Sequence, residues 1–116
     1  MRHRKKGAIL SRKIGPRRSL LKNLAASLVL YEKIKTTEAK AKAIRSYVER
    51  LVTKAKSPTL ANRRLLLKFL PTEGPVKKLI EVLGPRYQDR RGGYLRITKL
   101  GARVGDRAKV VIIEFV

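Results

Sequence analysis

The stretch KIKTTEAKAKAIRSYVERLVTKA, residues 33–55, decides the fold class. Lys33-Ile34-Lys35-Thr36 alternates charged and β-branched side chains, the two-residue period of a short strand. Thr36 or Thr37 suits the N-cap of a following helix, and Glu38 falls in its first turn, where the helix dipole favours an acid. Ile44, Tyr47, Val48, Leu51, Val52 and Ala55 then recur at helical spacing as the cleanest apolar stripe in the chain. Lys40, Lys42, Arg45, Arg50 and Lys54 fill much of the remaining surface. A strand running straight into an amphipathic helix calls for further strands and further helices to cover both.

Both are present on either side. Upstream, Gly15-Pro16 predicts a helix start, with Pro16 at the first helical position, where its missing N–H is not needed. Leu20, Leu21, Leu24, Ala25 and Leu28 form its apolar face, and the helix should end near Tyr31. Downstream, Ser57-Pro58 predicts a stop and restart, with Ser57 as N-cap of a helix carrying Leu60, Leu65, Leu66, Phe69 and Leu70 and ending at Pro71. Residues 72–75 restart a fourth helix with Val76, Leu79, Ile80 and Leu83 inward and Gly84-Pro85 as its terminator. A loop at 86–93 leads to strands at 94–100 and 109–116, the last being KVVIIEFV, joined by residues 101–106 with a turn at Gly105-Asp106. The expected fold is α+β, with four helices packed on one face of a small three-stranded sheet.

Composition bounds the function. The 116 residues fit one domain, placed at 16–116, behind a basic arm at 1–15. Apolar residues make up 43% of the chain, enough for a modest core and too many for a wholly disordered tail. Thirty Lys and Arg face eight Asp and Glu, a net charge of +22. Such a chain repels itself until a polyanion neutralises it, and nucleic acid gains further by releasing counterions. An anionic membrane is the rival partner, but it is served by one basic amphipathic helix or a lipid anchor, whereas here the cations occupy almost every segment. The absence of cysteine excludes disulfides and thiolate metal sites. No apolar run approaches a membrane span, and Gly7 to Leu10 is too short for a signal-peptide core, so a cytoplasmic location is expected.

The arm is the most one-sided segment. Arg2, Arg4, Lys5, Lys6, Arg12 and Lys13, followed by Arg17 and Arg18, have no acidic neighbour; the first acid in the chain is Glu32. With no helical or strand period, such a segment orders only against a polyanion; otherwise it is a solvated terminus.

The catalytic search is thin. His3 is the only histidine, it lies between Arg2 and Arg4, and no carboxylate stands near it in sequence. A lone histidine without carboxylate partners makes no metal site. Nucleotide-loop and nucleophile-elbow patterns are absent. Glu38, Glu49 and Glu81 read as solvated or salt-bridging groups on helices. The expectation is no enzyme, no cofactor and no metal.

The binding search is richer. Residues 85–94, PRYQDRRGGY, combine Arg86, Arg90 and Arg91 with Tyr87, Tyr94 and two glycines. Arginine forks match phosphate oxygens, a tyrosine can stack on a splayed base, and glycine lets backbone N–H groups approach phosphate. The competing reading packs Tyr87 into the core and leaves Gly92-Gly93 as a turn, and the sequence does not choose between them. Arg17, Arg18, Lys22, Lys35 and Arg96 complete the candidate phosphate-contacting set, with Lys40, Arg45, Arg63, Arg64, Lys77 and Lys78 as weaker ones. A cation on an amphipathic helix is often just its wet face. At 5% aromatic content, phosphate contacts rather than stacking must supply most of the affinity.

Several segments together resemble the family of bacterial large-subunit ribosomal protein number seventeen. They are Met1-Arg2-His3-Arg4 with Gly7, Leu10 and Arg12; Lys22-Asn23-Leu24; Ile34-Lys35-Thr36-Thr37 before Lys40-Ala41-Lys42; and Ala61-Asn62-Arg63-Arg64-Leu65. The most specific are Pro85-Arg86-Tyr87, Asp89-Arg90, Gly92-Gly93-Tyr94, Arg96-Ile97, Gly105-Asp106 and the final Ile-Glu-Phe-Val strand. The resemblance spans the chain in order. It implies helices against a three-stranded mixed sheet, a basic N-terminal extension, binding to large-subunit ribosomal RNA beside neighbouring ribosomal proteins, and no catalytic role. It brings His3 into the RNA-contacting set. Pro16 stands where the family often has a histidine, and residues 68–74 diverge. The alternative from charge alone is a free DNA- or RNA-binding accessory protein.

Overall fold

In a computed structural model, residues 14–116 are described. Helix α1 covers Ile14–Tyr31, strand β1 Lys33–Thr37, helix α2 Glu38–Ala55 and helix α3 Leu60–Phe69. Helix α4 begins at Glu73–Lys78, widens into a π-helical turn at Leu79–Leu83 and closes with Gly84–Arg86. Strands β2, Leu95–Ala102, and β3, Lys109–Phe115, finish the fold.

The sheet has the order β1-β3-β2, so the last strand lies between the other two. Both pairings are antiparallel, with Ile34 opposite Ile113 and Ile97 opposite Ile113 on the other side. The expectation of a mixed sheet is thereby corrected. The helices return the chain to β2, which runs in the same direction as β1, and the hairpin then sends β3 back between them, antiparallel to both. Alternation along β3 buries Val111, Ile113 and Phe115 and leaves Val110, Ile112 and Glu114 toward the open face.

Helix α2 covers the buried face and touches all three strands, α1, α3 and the π turn. Its buried residues are Ala41, Ile44, Val48, Leu51, Val52 and Ala55. Tyr47, expected on the same stripe, sits at its edge, half-buried against the core. Thr37 is the N-cap residue but its side chain makes no capping hydrogen bond. α3 starts later than Ser57-Pro58 suggests: Thr59 is the cap and its hydroxyl accepts from the Asn62 N–H at 3.2 Å. Ser57 helps from outside, its carbonyl accepting from the Asn62 amide at 2.8 Å.

Two proline positions also differ from expectation. Pro16 is the third residue of α1, still within the first turn, where backbone N–H groups have no helical partner. Gly84-Pro85 does not stop α4. The Gly84 N–H donates to the Leu79 carbonyl five residues back, and the helix runs on to Arg86. A proline ring at position 85 would collide with the carbonyl four residues earlier in a regular α-helix; the wider π turn before it makes room.

Gly84 has a packing reason to be glycine. A Cβ there would lie 2.7 Å from the Ala55 carbonyl oxygen and 3.0 Å from that of Leu79. Its backbone is helical, so alanine should gain roughly 0.5–1 kcal/mol from propensity alone. Overlap with two backbone atoms that cannot rotate away outweighs this, since overpacking costs about 1–3 kcal/mol. Gly84→Ala is therefore expected to lower the thermal midpoint by several degrees. A calorimetric scan that found it raised would place α4 farther from α2 than described.

Candidate nucleic-acid interface

The loop after α4 is held on the C-terminal end of α2 by polar contacts from both sides. The Gln88 amide donates to the Lys56 carbonyl at 2.8 Å, and the Lys56 ammonium donates to the Arg90 carbonyl and, at 3.2 Å, to the Tyr94 hydroxyl. Glu49 of α2 accepts the Tyr94 N–H at 3.0 Å. Gly93 has φ +65°, a left-handed turn that glycine adopts without strain.

The two tyrosines of this loop belong to the core. Tyr87 is 4% exposed and Tyr94 fully buried. Their rings pack on each other at 5.2 Å between centroids, and Tyr87 stacks on Phe115 at 6.1 Å. The Tyr87 hydroxyl donates to the Val116 carbonyl at 2.7 Å, tying loop to C-terminus. With both faces covered, neither ring can stack on a base, and that part of the expectation is withdrawn. The arginines remain outside. Arg91 is exposed; Arg90 is exposed, with one guanidinium N–H donating to the Gly93 carbonyl at 3.3 Å. Arg86 and Arg96 are engaged by carboxylates, Glu32 and Glu114 respectively, the latter at 2.9 Å.

Among the described residues, surface grooves gather several of the remaining cations. Arg18 and Lys22 of α1 meet Lys68 of α3 around Leu21, Tyr47 and Phe69 in a groove of about 400 Å³. Lys35 and Lys40 meet Arg103 of the β2–β3 hairpin in a wider one of about 600 Å³. Arg50 and Lys54 flank Gly92-Gly93 in a third of about 270 Å³, which Glu49 also lines. Arg63 lies between α3 and α4 with Lys77, but Glu73 and Glu81 stand beside them. Arg17 is half-buried on α1 and Arg64 exposed on α3. Arg2, His3, Arg4, Lys5, Lys6, Arg12 and Lys13 lie outside the described residues.

A family model for ribosomal protein L17 matches residues 20–116. The chain belongs to the ribosomal protein L17 family. Its similarity extends through the N-terminal segment as well. It is 51% identical over 116 residues to the large ribosomal subunit protein bL17 of Sphingopyxis alaskensis, covering 100% of this chain and 84% of that one. The protein of the same name from Rickettsia bellii is 52% identical over 116 residues, with 100% and 82% covered. That of Rickettsia canadensis is 49% identical, with 100% and 85% covered.

In this L17-family chain, the cations that sequence reasoning missed are the ones whose neighbours are remote in sequence. Lys68 is separated from Lys22 by β1 and the whole of α2, and Arg103 from Lys40 by most of the fold. Lys56 is a structural clamp, which its position before Ser57-Pro58 does not announce. Lys78 is another: its ammonium donates to the Leu30 carbonyl at 2.8 Å and meets Glu32 at 3.1 Å. No group of three or more His, Cys, Asp or Glu side chains among the described residues could hold a metal ion. No helix among them is long and apolar enough to cross a membrane.

Glu32 sits just after α1 with φ +61°, a left-handed conformation that costs a non-glycine residue about 1–2 kcal/mol. Its backbone caps the helix, its N–H donating to Leu28 at 2.7 Å and its carbonyl accepting from Phe115 at 3.0 Å. Its carboxylate bridges Arg86 and Lys78, and the Arg86 hydrogen bond above all holds its pKa down to about 2 from 4.5. Because the folded pKa is depressed, this contribution is fully present above about pH 4.5 and is lost as pH falls toward 2. The carboxylate is partly exposed, so about 1 kcal/mol is expected at neutral pH. Glu32→Gln should unfold at a lower temperature than wild type at pH 7 and at the same temperature near pH 2. A gap that persists at pH 2 would show that the loss is not that of the carboxylate charge.

Proposed function

We propose that the chain is a structural constituent of the bacterial large ribosomal subunit that binds folded large-subunit ribosomal RNA and stabilises it. The observation that carries this reading is membership of the L17 family; the charge distribution supplies the mechanism. The relatives from Sphingopyxis alaskensis, Rickettsia bellii and Rickettsia canadensis are large ribosomal subunit proteins. The role is structural rather than catalytic, and its place is the ribosome.

Folded RNA brings phosphates from different helices close together, and their repulsion opposes packing. A protein with cations on several faces neutralises such junctions and releases counterions as it does so. The arm residues Arg2, His3, Arg4, Lys5, Lys6, Arg12 and Lys13 are assigned to crevices between RNA helices. Arg17, Arg18, Lys22, Lys35, Lys40, Arg63, Arg64, Arg90 and Arg91 are assigned to phosphates on the surface of the folded body, and so are the outward faces of Arg86 and Arg96. Most of these contacts position the protein without reading sequence. Other faces abut neighbouring proteins of the subunit.

Deleting residues 2–13 should leave the circular dichroism of the body unchanged and weaken incorporation into large subunits in competition with the full chain. The slope of log affinity for ribosomal RNA against log salt should become shallower by roughly 0.7–0.9 for each phosphate that the truncated chain no longer neutralises. Undiminished occupancy of the truncated chain would refute the role of the arm. A chain that leaves the subunit in a high-salt wash would instead be the free accessory binder.

A further inference from the structure

We propose that the groove between α1, α2 and α3 receives one unpaired nucleotide of RNA, its base on Leu21, Tyr47 and Phe69 and its phosphate among Arg18, Lys22 and Lys68. The inference rests on the RNA-binding reading above and adds to it a defined subsite.

The lining is unlike that of the other grooves. Arg18, Lys22 and Lys68 form its rim, and among the described residues no carboxylate lines it. Between α3 and α4, Glu73 and Glu81 offset Arg63 and Lys77. Glu49 lines the groove at Gly92-Gly93. The groove at Lys35, Lys40 and Arg103 is free of acids, but its apolar side chains are Leu100, Val104 and Val110, with no ring. Tyr87, Tyr94 and Phe115 are buried in the core and Tyr31 is exposed at the end of α1, lining none of these grooves, whereas Tyr47 and Phe69 are half-buried and share this one.

The two rings are also held in place. The Tyr47 hydroxyl donates to the Phe69 carbonyl at 2.6 Å, and the rings meet edge to face, 6.3 Å apart at 85°. Burial raises the Tyr47 pKa, so the phenol stays protonated and its hydrogen bond persists. With its one donor spent on backbone, Tyr47 offers the groove ring surface rather than a polar group. A base stacks on such a surface whatever its identity. A paired base exposes only its edges, and this floor has no groups to read them, so the occupant is a base splayed out of its helix. A phosphate alone would leave the apolar floor wet, and a basic protein segment would be repelled by the rim. Arg18 and Lys22 lie one turn apart on α1 and line the same side of the groove.

The test uses the full chain assembled into large subunits. Ultraviolet light joins an unpaired base to a side chain in contact with it, and mass spectrometry identifies the joined peptide. A nucleotide adduct is expected within residues 44–50 or 64–70, and it should disappear in the Lys22→Glu/Lys68→Glu variant. The base concerned should become at least fivefold more reactive to base-specific chemical probes in variant subunits. If the variant is not incorporated, Lys68→Ala replaces it, with a smaller rise expected in the reactivity of the same base. Full occupancy with no adduct in these segments and no base changed in reactivity would overturn the subsite and leave RNA binding intact. Crosslinks from Lys22 or Lys68 to a neighbouring protein would overturn it in favour of a protein occupant. Loss of the wild-type chain from the RNA altogether would remove the functional reading itself.

Discussion

Everything in the described fold leans on α2. A single helix carries Ala41, Ile44, Val48, Leu51, Val52 and Ala55 inward and contacts the sheet on one side and the other helices on the other. Its stripe is wide because two layers must be served at once. Small residues sit where a neighbour comes close: Ala55 lies against Gly84, and the backbone of α4 approaches to within the radius of a missing methyl group. Deepening that approach requires a helix that can carry proline without ending, and the π turn at Leu79–Leu83 provides it. The loop at residues 86–94 is then delivered to the C-terminal end of α2, where Lys56 and Glu49 hold it. The position of the loop arginines is thus a consequence of how α2 packs.

Acids are scarce in this chain, and three of the eight, Glu32, Glu49 and Glu114, join elements that would otherwise be free to part. Glu32 ties the end of α1 to Arg86 and Lys78 of α4. Glu49 receives the first N–H of the segment leading into β2. Glu114, in the central strand, meets Lys33 of β1 and Arg96 of β2, one on each side. Asp106 holds Arg103 in the hairpin, and that arginine above all lowers its pKa to about 2. Each of these carboxylates thus meets a cation or a backbone N–H. The consequence is a division of labour: the few negative charges stabilise the fold internally, and the excess positive charge is left for the polyanion. Neutralising more of the surface with acids would remove the driving force for binding, and removing the existing ones would weaken the joints.

The elements were legible where the pattern was local. The stripe of α2, the apolar run of β3, the breaks near 32, 57, 71 and 101, and the three-stranded sheet all follow from spacing and turn residues. What was not legible depends on contacts between distant segments. Strand direction is set by which elements intervene, so the antiparallel sheet could not be read from the strands themselves. Gly84-Pro85 carries every local mark of a helix stop; only the approach of α2 makes continuing through a π turn favourable. Tyr87 has two readings of equal standing because an aromatic beside arginines and glycines suits a base and a core alike, and the partners that decide it, Phe115 and Val116, lie at the other end of the chain. For the same reason Lys68 and Arg103 were missed as members of cationic grooves.

The fate of the tyrosines bears on how RNA must be held. Where the loop rings pack on each other and Tyr87 stacks on Phe115, the arginines beside them project from a rigid base rather than a flexible turn. A guanidinium so placed loses little freedom on meeting a phosphate, which favours binding without any base contact. Stacking, if it is used, has to occur where a ring is fixed but not covered. Tyr47 meets that condition because its hydroxyl is bound to the Phe69 carbonyl while part of its ring stays outside the core. The same hydrogen bond joins α2 to the end of α3 and brings Lys68 around to face Lys22. Packing in the core therefore does two things at once: it withdraws the aromatics that the sequence displays most prominently, and it builds from less conspicuous ones a surface on which a base can rest.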